Sequence, residues 1–165
     1  MTVSSDLNLG GETHPVPGAQ TFRHVGISVS DIEKSLRFYV EYLNFEPLRS
    51  HLAQSGSYIS SLVGLEDAEV DIRILKCSDG SLLELLHYKS HMKIAGKNAQ
   101  ASEVGRPHLA FSVRDLQALY ARREEFGVFF KSVPLNSPDA PVLVAYCHDP
   151  DGTIIELVEV IGDPS

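Results

Sequence analysis

The 165-residue chain is acidic, with 22 Asp and Glu residues against 14 Lys and Arg residues and a formal net charge of −8. This charge argues against nucleic acid or anionic membranes as partners, because both bind basic surfaces. No apolar run approaches the roughly 20 residues that span a bilayer, the N-terminus does not resemble a signal peptide, and two cysteines indicate no disulfide framework. These features predict a cytoplasmic protein.

The first part of the chain predicts a flexible tail, residues 1–20, followed by a β-α-β-β-β module, residues 21–88. The tail is polar and contains several Ser, Gly and Pro residues. A strand over 22–29 leads to a helix over 31–43, for which Ser30 and Glu33 have the spacing of a capping box. Further strands are expected over 45–53, 69–77 and 81–88, with a loop over 55–68 placed to wall a pocket.

The second part repeats this plan. A polar linker, residues 89–105, precedes a second module, residues 106–165. Its helix is expected to end at Gly127, a residue that tolerates the left-handed conformation common after helices. The predicted elements are a strand over 106–113, a helix over 115–126, and strands over 128–133, 141–148 and 153–160.

Two short phrases of the first module recur in the second. HVGISVSD, which begins at His24, returns 84 residues later as HLAFSVRD, which begins at His108. DGSLLEL, which contains Glu84, returns 72 residues later as DGTIIEL, which contains Glu156. Each module therefore contributes one histidine and one glutamate at matching places.

The alternation of side chains along a strand separates these residues from the core. His24, Gly26 and Ser28 share one face of their strand, and the apolar residues between them share the other. A glutamate within such an apolar strand costs several kcal/mol if it is buried without a partner. A structural repeat explains matching turns and caps, but not the recurrence of the histidine and the glutamate. The pattern predicts a divalent-metal site built from His24, Glu84, His108 and Glu156.

The segments FRHVGISVSDIEKSLRFY, DGSLLELLHY, RPHLAFSVRDL and DPDGTIIELVEV, within residues 21–160, resemble the vicinal oxygen chelate superfamily. This superfamily includes glyoxalase I, methylmalonyl-CoA epimerase, extradiol dioxygenases and bleomycin- or fosfomycin-resistance proteins. The resemblance implies an α+β fold in which two paired βαβββ modules form an open, eight-stranded, barrel-like sheet around a metal cleft. It also implies a homodimer and a small-molecule substrate. The linker permits the modules to pair within one chain or between two chains.

Two histidines and two glutamates resemble the ligand pattern of glyoxalase I and the epimerase. The resemblance implies a glyoxalase-type lyase or isomerase in which Glu84 and Glu156 transfer a proton next to a carbonyl. The metal would be Zn, Ni, Co or Mn, with Fe ranked behind them. The alternatives are an epimerase of an acyl-CoA or similar carbon acid, an iron-dependent extradiol-type dioxygenase, and a non-catalytic resistance or binding protein.

The chain also departs from the glyoxalase I pattern. Ser28 and Val104 stand where arginines of that family contact glutathione, so the identity of the thiol is left open. Arg106 lies two residues before His108 and on the same strand face. It is a candidate to bind an anionic substrate, and a solvent-facing position is at least as compatible with its place in the sequence.

Overall fold

The computed structural model describes residues 18–19, 21–93 and 100–162. Most of the predicted tail, part of the predicted linker (94–99) and the last three residues (163–165) lie outside the described residues. Within the described part, no helix combines the length and apolar character needed to cross a membrane.

The first module is a four-stranded sheet with the strand order β1-β4-β3-β2. β1 runs parallel to β4, and the other neighbours are antiparallel. The elements are β1 (Val25–Ser28), α1 (Ile32–Leu36) continued by a π-helical segment (Arg37–Tyr42), β2 (Glu46–Gln54), α2 (Ser57–Val63), β3 (Val70–Lys76) and β4 (Leu82–Tyr88).

The second module repeats this topology with the strand order β5-β8-β7-β6. Its elements are β5 (His108–Ser112), α3 (Leu116–Phe126), β6 (Leu135–Asn136), β7 (Val142–His148) and β8 (Ile154–Val160). The predicted fold of two βαβββ modules is confirmed. In the part of the chain that is described, the eight strands form two separate four-stranded sheets and not one continuous sheet.

The start of the first helix differs from the prediction. Asp31 caps it, with its carboxylate accepting a hydrogen bond from the backbone N–H of Lys34 at 3.1 Å. Ser30 instead donates its backbone N–H to Asp151 at 2.9 Å and its hydroxyl to the same carboxylate. The predicted capping box is therefore wrong, because a carboxylate in the next position caps the helix and Ser30 binds the second module.

Two other segments also differ. The segment predicted as a loop, 55–68, contains α2, which ends at Gly64 in the left-handed conformation. The strand predicted over 128–133 is reduced to a single bridge between Phe130 and Cys147, and the edge strand β6 begins only at Leu135. Pro134 precedes β6, and a proline cannot donate a hydrogen bond to a sheet.

The helix-facing sides of both sheets pack into a single hydrophobic core. Phe45 of the first module meets Phe111 of the second with ring centroids 5.2 Å apart, and Tyr42 meets Phe126 at the same distance. The opposite sides of the two sheets, which carry the predicted metal ligands, therefore do not face each other within the chain.

Hydrogen bonds also join the two modules. The hydroxyl of Tyr39 donates to the carboxylate of Asp149 at 2.9 Å, and both residues are buried. The hydroxyl of Tyr42 donates to the carbonyl of Leu119 at 2.9 Å. Because these partners lie far apart in sequence, they stabilise one specific arrangement of the modules.

The Tyr39→Phe variant is expected to lower the free energy of unfolding at neutral pH by about 1.5–3 kcal/mol, the range for a hydrogen bond to a charged group. Burial raises the pKa of Asp149, and the Tyr39 hydroxyl opposes that shift. Because the pKa of Asp149 is raised in the folded state, its ionisation lowers the stability of the fold as the pH rises. Loss of the Tyr39 hydroxyl should therefore lower the free energy of unfolding most at pH values above the pKa of Asp149. Urea unfolding across acid to neutral pH measures this loss, which should shrink towards acid pH. Tyr120→Phe is the matched control, and an equal loss in both variants would contradict the role of Tyr39.

Candidate metal centre

The first pair of predicted ligands lies on the outer side of the first sheet. His24 immediately precedes β1, and Glu84 lies in β4 directly opposite Gly26. The Nε2 atom of His24 and the Oε2 atom of Glu84 are 3.5 Å apart, and their side chains are 37% and 21% exposed. A Cβ atom at Gly26 would lie 3.9 Å from the Oε2 atom of Glu84, an ordinary contact distance, so the two residues are close neighbours on this face.

The second pair has the same arrangement on the second sheet. His108 begins β5, and Glu156 lies in β8 opposite Ala110. The Nε2 atom of His108 and the Oε2 atom of Glu156 are 3.0 Å apart, with side-chain exposures of 46% and 21%. Both pairs are accessible to solvent and to a ligand.

The shared core determines where these pairs lie relative to each other. Val25 and Leu109, the neighbours of the two histidines in sequence, pack against that core. Since successive strand residues point to opposite faces, both pairs point away from it. Among the described residues, no three His, Cys, Asp or Glu side chains come close enough to hold a metal ion. One chain therefore presents two separate His–Glu pairs, each a candidate half of a metal site (a half-site).

The donor atoms of the two pairs are of the types that bind a divalent cation, and each pair would supply half of the ligands. Each half-site offers one imidazole nitrogen and one carboxylate oxygen, the donor types that Zn, Ni, Co and Mn accept. Together the two pairs would supply four such donors to one cation.

Tyr146 makes the two half-sites different. It lies in β7 opposite Glu156, and its ring meets the ring of His108 edge-on at a centroid distance of 5.6 Å. Burial, followed by interaction with the nearby Glu156 carboxylate, raises the pKa of the Tyr146 phenol. The corresponding residue opposite Glu84 is Ile74, which offers no hydrogen bond. Only the strand register shows that Tyr146 shares the sheet face of Glu156, because the sequence does not reveal which residues of two neighbouring strands lie opposite each other.

Arg106 lines a cavity whose lining includes none of the four predicted ligands. Its Nε atom pairs with the Glu103 carboxylate at 2.7 Å, and it lines a cavity of about 690 Å³ that Ser28 and Tyr88 also line. The α2 residue Val63 contributes to the same cavity. The Arg106 guanidinium, a candidate to bind an anionic substrate, is therefore paired with the Glu103 carboxylate in this structure.

Cys147 is excluded as a nucleophile at neutral pH. Its side chain is fully buried, and burial, assisted by the charge of Asp149, raises the pKa of its thiol to about 12. Because the thiolate is the reactive form, Cys147 serves as a small apolar core residue.

The paired modules, with one His–Glu pair on the outer side of each sheet, define the class of protein. Residues 21–157 match the family model described as the Glyoxalase/Bleomycin resistance protein/Dioxygenase superfamily, and the chain belongs to this superfamily.

Two curated relatives are similar to the chain. A lactoylglutathione lyase from Pseudomonas aeruginosa is 30% identical over 146 residues, which cover 84% of this chain and 81% of the relative. A probable lactoylglutathione lyase from Synechocystis is 28% identical over 136 residues, which cover 82% of this chain and 92% of the relative.

Solved structures show the same fold. A glyoxalase family protein from Bacillus cereus superimposes with a TM-score of 0.81 at 20% identity, covering 91% of this chain and all of the other. The trypanothione-dependent glyoxalase I of Leishmania major superimposes with a TM-score of 0.61 at 21% identity, covering 86% and 87% of the two chains.

Proposed function

We propose that the protein is a divalent-metal-dependent lyase or isomerase of the glyoxalase type, which transfers a proton on the carbon next to a carbonyl. The observation that carries this proposal is the presence of two accessible His–Glu pairs, one on each sheet, with Nε2–Oε2 distances of 3.5 and 3.0 Å. The curated relatives named as lactoylglutathione lyases support the reaction class. A cytoplasmic location stays a prediction from the sequence.

We infer that the complete centre forms between two chains. The core faces of the two modules meet within the chain, so its half-sites point away from each other. β1 and β5 are edge strands of their sheets among the described residues, and such edges readily pair with another chain. A two-fold axis that brings β1 of one chain beside β5 of the other would create two equivalent sites. His24 and Glu84 would then meet His108 and Glu156 of the partner subunit, which makes a homodimer the active form.

In this centre the four side chains would hold the metal and the two glutamates would move the proton. A bound divalent cation supplies Lewis-acid polarisation of the substrate carbonyl. One carboxylate removes the proton from the carbon next to the carbonyl, and a carboxylate returns it to the neighbouring carbon as general acid. Glu156 lies opposite Tyr146 and Glu84 lies opposite Ile74, so the two carboxylates have different neighbours.

The thiol part of the substrate requires a direct test. Positions 28 and 104 hold Ser28 and Val104, and Arg106 is paired with Glu103. None of these residues offers an unpaired cation to a glutathione carboxylate. Glutathione and an uncharged thiol are therefore compared directly.

The proposed reaction is tested with metal-free protein reloaded separately with Zn, Ni, Co and Mn. Hemithioacetals of methylglyoxal with glutathione and with an uncharged thiol are the substrates, and thioester formation is followed in deuterated water by NMR. Turnover that requires one of these metals, with solvent deuterium in the product, is the expected result. Absence of turnover with every metal and both thiols would contradict the proposal, and oxygen consumption with a catechol would favour the dioxygenase alternative.

A further inference from the structure

The outer strand of the first sheet carries two basic side chains on the ligand-bearing side. β2 is an edge strand among the described residues, and its residue Arg49 pairs with Ile74 of β3. Ile74 in turn pairs with Glu84 of β4. Residues directly opposite each other on neighbouring strands share a face, so Arg49 and Glu84 lie on the same side of the sheet. His51 lies two residues after Arg49 and shares this face. We refer to Arg49 and His51 as the basic edge.

The Arg49 guanidinium is available to an external anion. Arg49 is exposed, and its side chain forms no ion pair or hydrogen bond with a described residue. The other two cations of this sheet are placed differently. Lys76 is paired with Glu46 at 2.8 Å, and Arg73 lies opposite the core residue Leu85 and therefore on the other face. Among the described strands of the first sheet, Arg49 is thus the one unpaired Lys or Arg side chain on the ligand-bearing side.

The sheet geometry sets the distance between the basic edge and the first half-site. Neighbouring strands lie about 4.8 Å apart, and β3 separates β2 from β4. The backbones of Arg49 and Glu84 are therefore roughly 10 Å apart across the sheet, with the half-buried residue Ile74 between them. A substrate with its reacting carbon beside Glu84 would reach the basic edge through an apolar chain that crosses Ile74.

We propose that the basic edge binds an anionic group on the part of the substrate remote from the reacting carbonyl. The inference rests on the proposed function for the carbonyl, and on Arg49 for the anion. A guanidinium is a planar donor that pairs with two oxygens of a carboxylate or phosphate at once. The His51 imidazole, about 7 Å along the strand, can donate a further N–H to the same group. The protein would thus select substrates by a negative charge and by its distance from the carbonyl.

The experiment compares an anionic thiol with its neutral amide. Methylglyoxal hemithioacetals of 6-mercaptohexanoate and 6-mercaptohexanamide differ in charge but not in length, and they give the ratio of kcat/KM values in metal-loaded protein. The unreactive thioethers 6-(methylthio)hexanoate and 6-(methylthio)hexanamide report binding without chemistry, through NMR shifts of the backbone amides of residues 49 and 74. Arg49→Gln removes the cation. Arg114→Gln is the matched control, because Arg114 is also exposed, has no side-chain partner among the described residues and lies outside this sheet.

We expect wild-type protein to prefer the anionic substrate about tenfold or more, the scale of a hydrogen bond to a charged group, and only the acid thioether to shift the two amides. Added salt should weaken this preference, because exposed charges are screened. Arg49→Gln should abolish the preference and the shifts, and Arg114→Gln should keep both. Acid binding that requires Arg49, without turnover of either substrate, would support the basic edge while overturning the proposed reaction. Turnover with no preference for the acid, or a preference that survives in Arg49→Gln, would overturn the inference.

Discussion

Glu84→Gln and Glu156→Gln are each expected to lower the exchange of the substrate proton with solvent by about 10²- to 10⁴-fold, the contribution of a positioned general acid or base. Glutamine keeps the shape of the side chain and a carbonyl oxygen, but it cannot accept a proton from carbon. Each half-site contains one of these two carboxylates. Loss of either should therefore interrupt proton removal or proton return.

Proton NMR in deuterated water measures this exchange directly, without relying on net product formation. Glu41→Gln is a suitable control, because Glu41 is an exposed residue of the π-helical segment and forms no ion pair with a described residue. Circular dichroism and metal content should accompany each variant, so that loss of the base is separated from loss of the metal. Undiminished exchange in both site variants would exclude these glutamates as the bases.

His24→Ala and His108→Ala are each expected to weaken metal binding by more than about 100-fold, since even loss of an outer partner of a ligand costs 10- to 100-fold. Each substitution removes the only imidazole of its half-site. Protein without a histidine tag is dialysed against a defined metal buffer, and its metal content is measured by mass spectrometry. Wild-type protein should retain about one equivalent per chain, as the two-fold dimer requires.

His51→Ala is the matched control for this loss. His51 is an exposed histidine of β2 with no counterpart in the second module, and its removal should leave the metal content unchanged. Retention of the full equivalent by both His24→Ala and His108→Ala would contradict the proposed ligand set. Bound iron in wild-type protein would instead favour the oxygenase alternative.

The alternation of apolar and polar residues predicted most of the strands in each module. Alternation in HVGIS and its repeat placed His24 and His108 on the side opposite Val25 and Leu109, and those apolar residues do pack in the core. The predicted strands β3, β4, β7 and β8 agree with the structure within a residue or two at each end. These elements depend on side-chain periodicity, which is a property of neighbouring residues.

Structural features that depend on contacts between residues far apart in sequence could not be predicted from local patterns. Ser30 has the spacing of a helix cap, yet its partner is Asp151 of the second module. The meeting of the two core faces depends on pairs such as Phe45 with Phe111, which no local pattern reveals. For this reason the repeat indicated four ligands but could not show that one chain separates them into two pairs.

The measurement that tests the account most directly is complementation between the two histidine variants. His24→Ala and His108→Ala chains are co-expressed with different affinity tags, and the heterodimer is isolated through both tags. If the centre forms between chains, one of its two sites is intact, so the heterodimer should show about half of the wild-type turnover and metal content. Each variant homodimer should show neither. A heterodimer as inactive and metal-poor as the homodimers would contradict the shared centre and place the complete site within one chain.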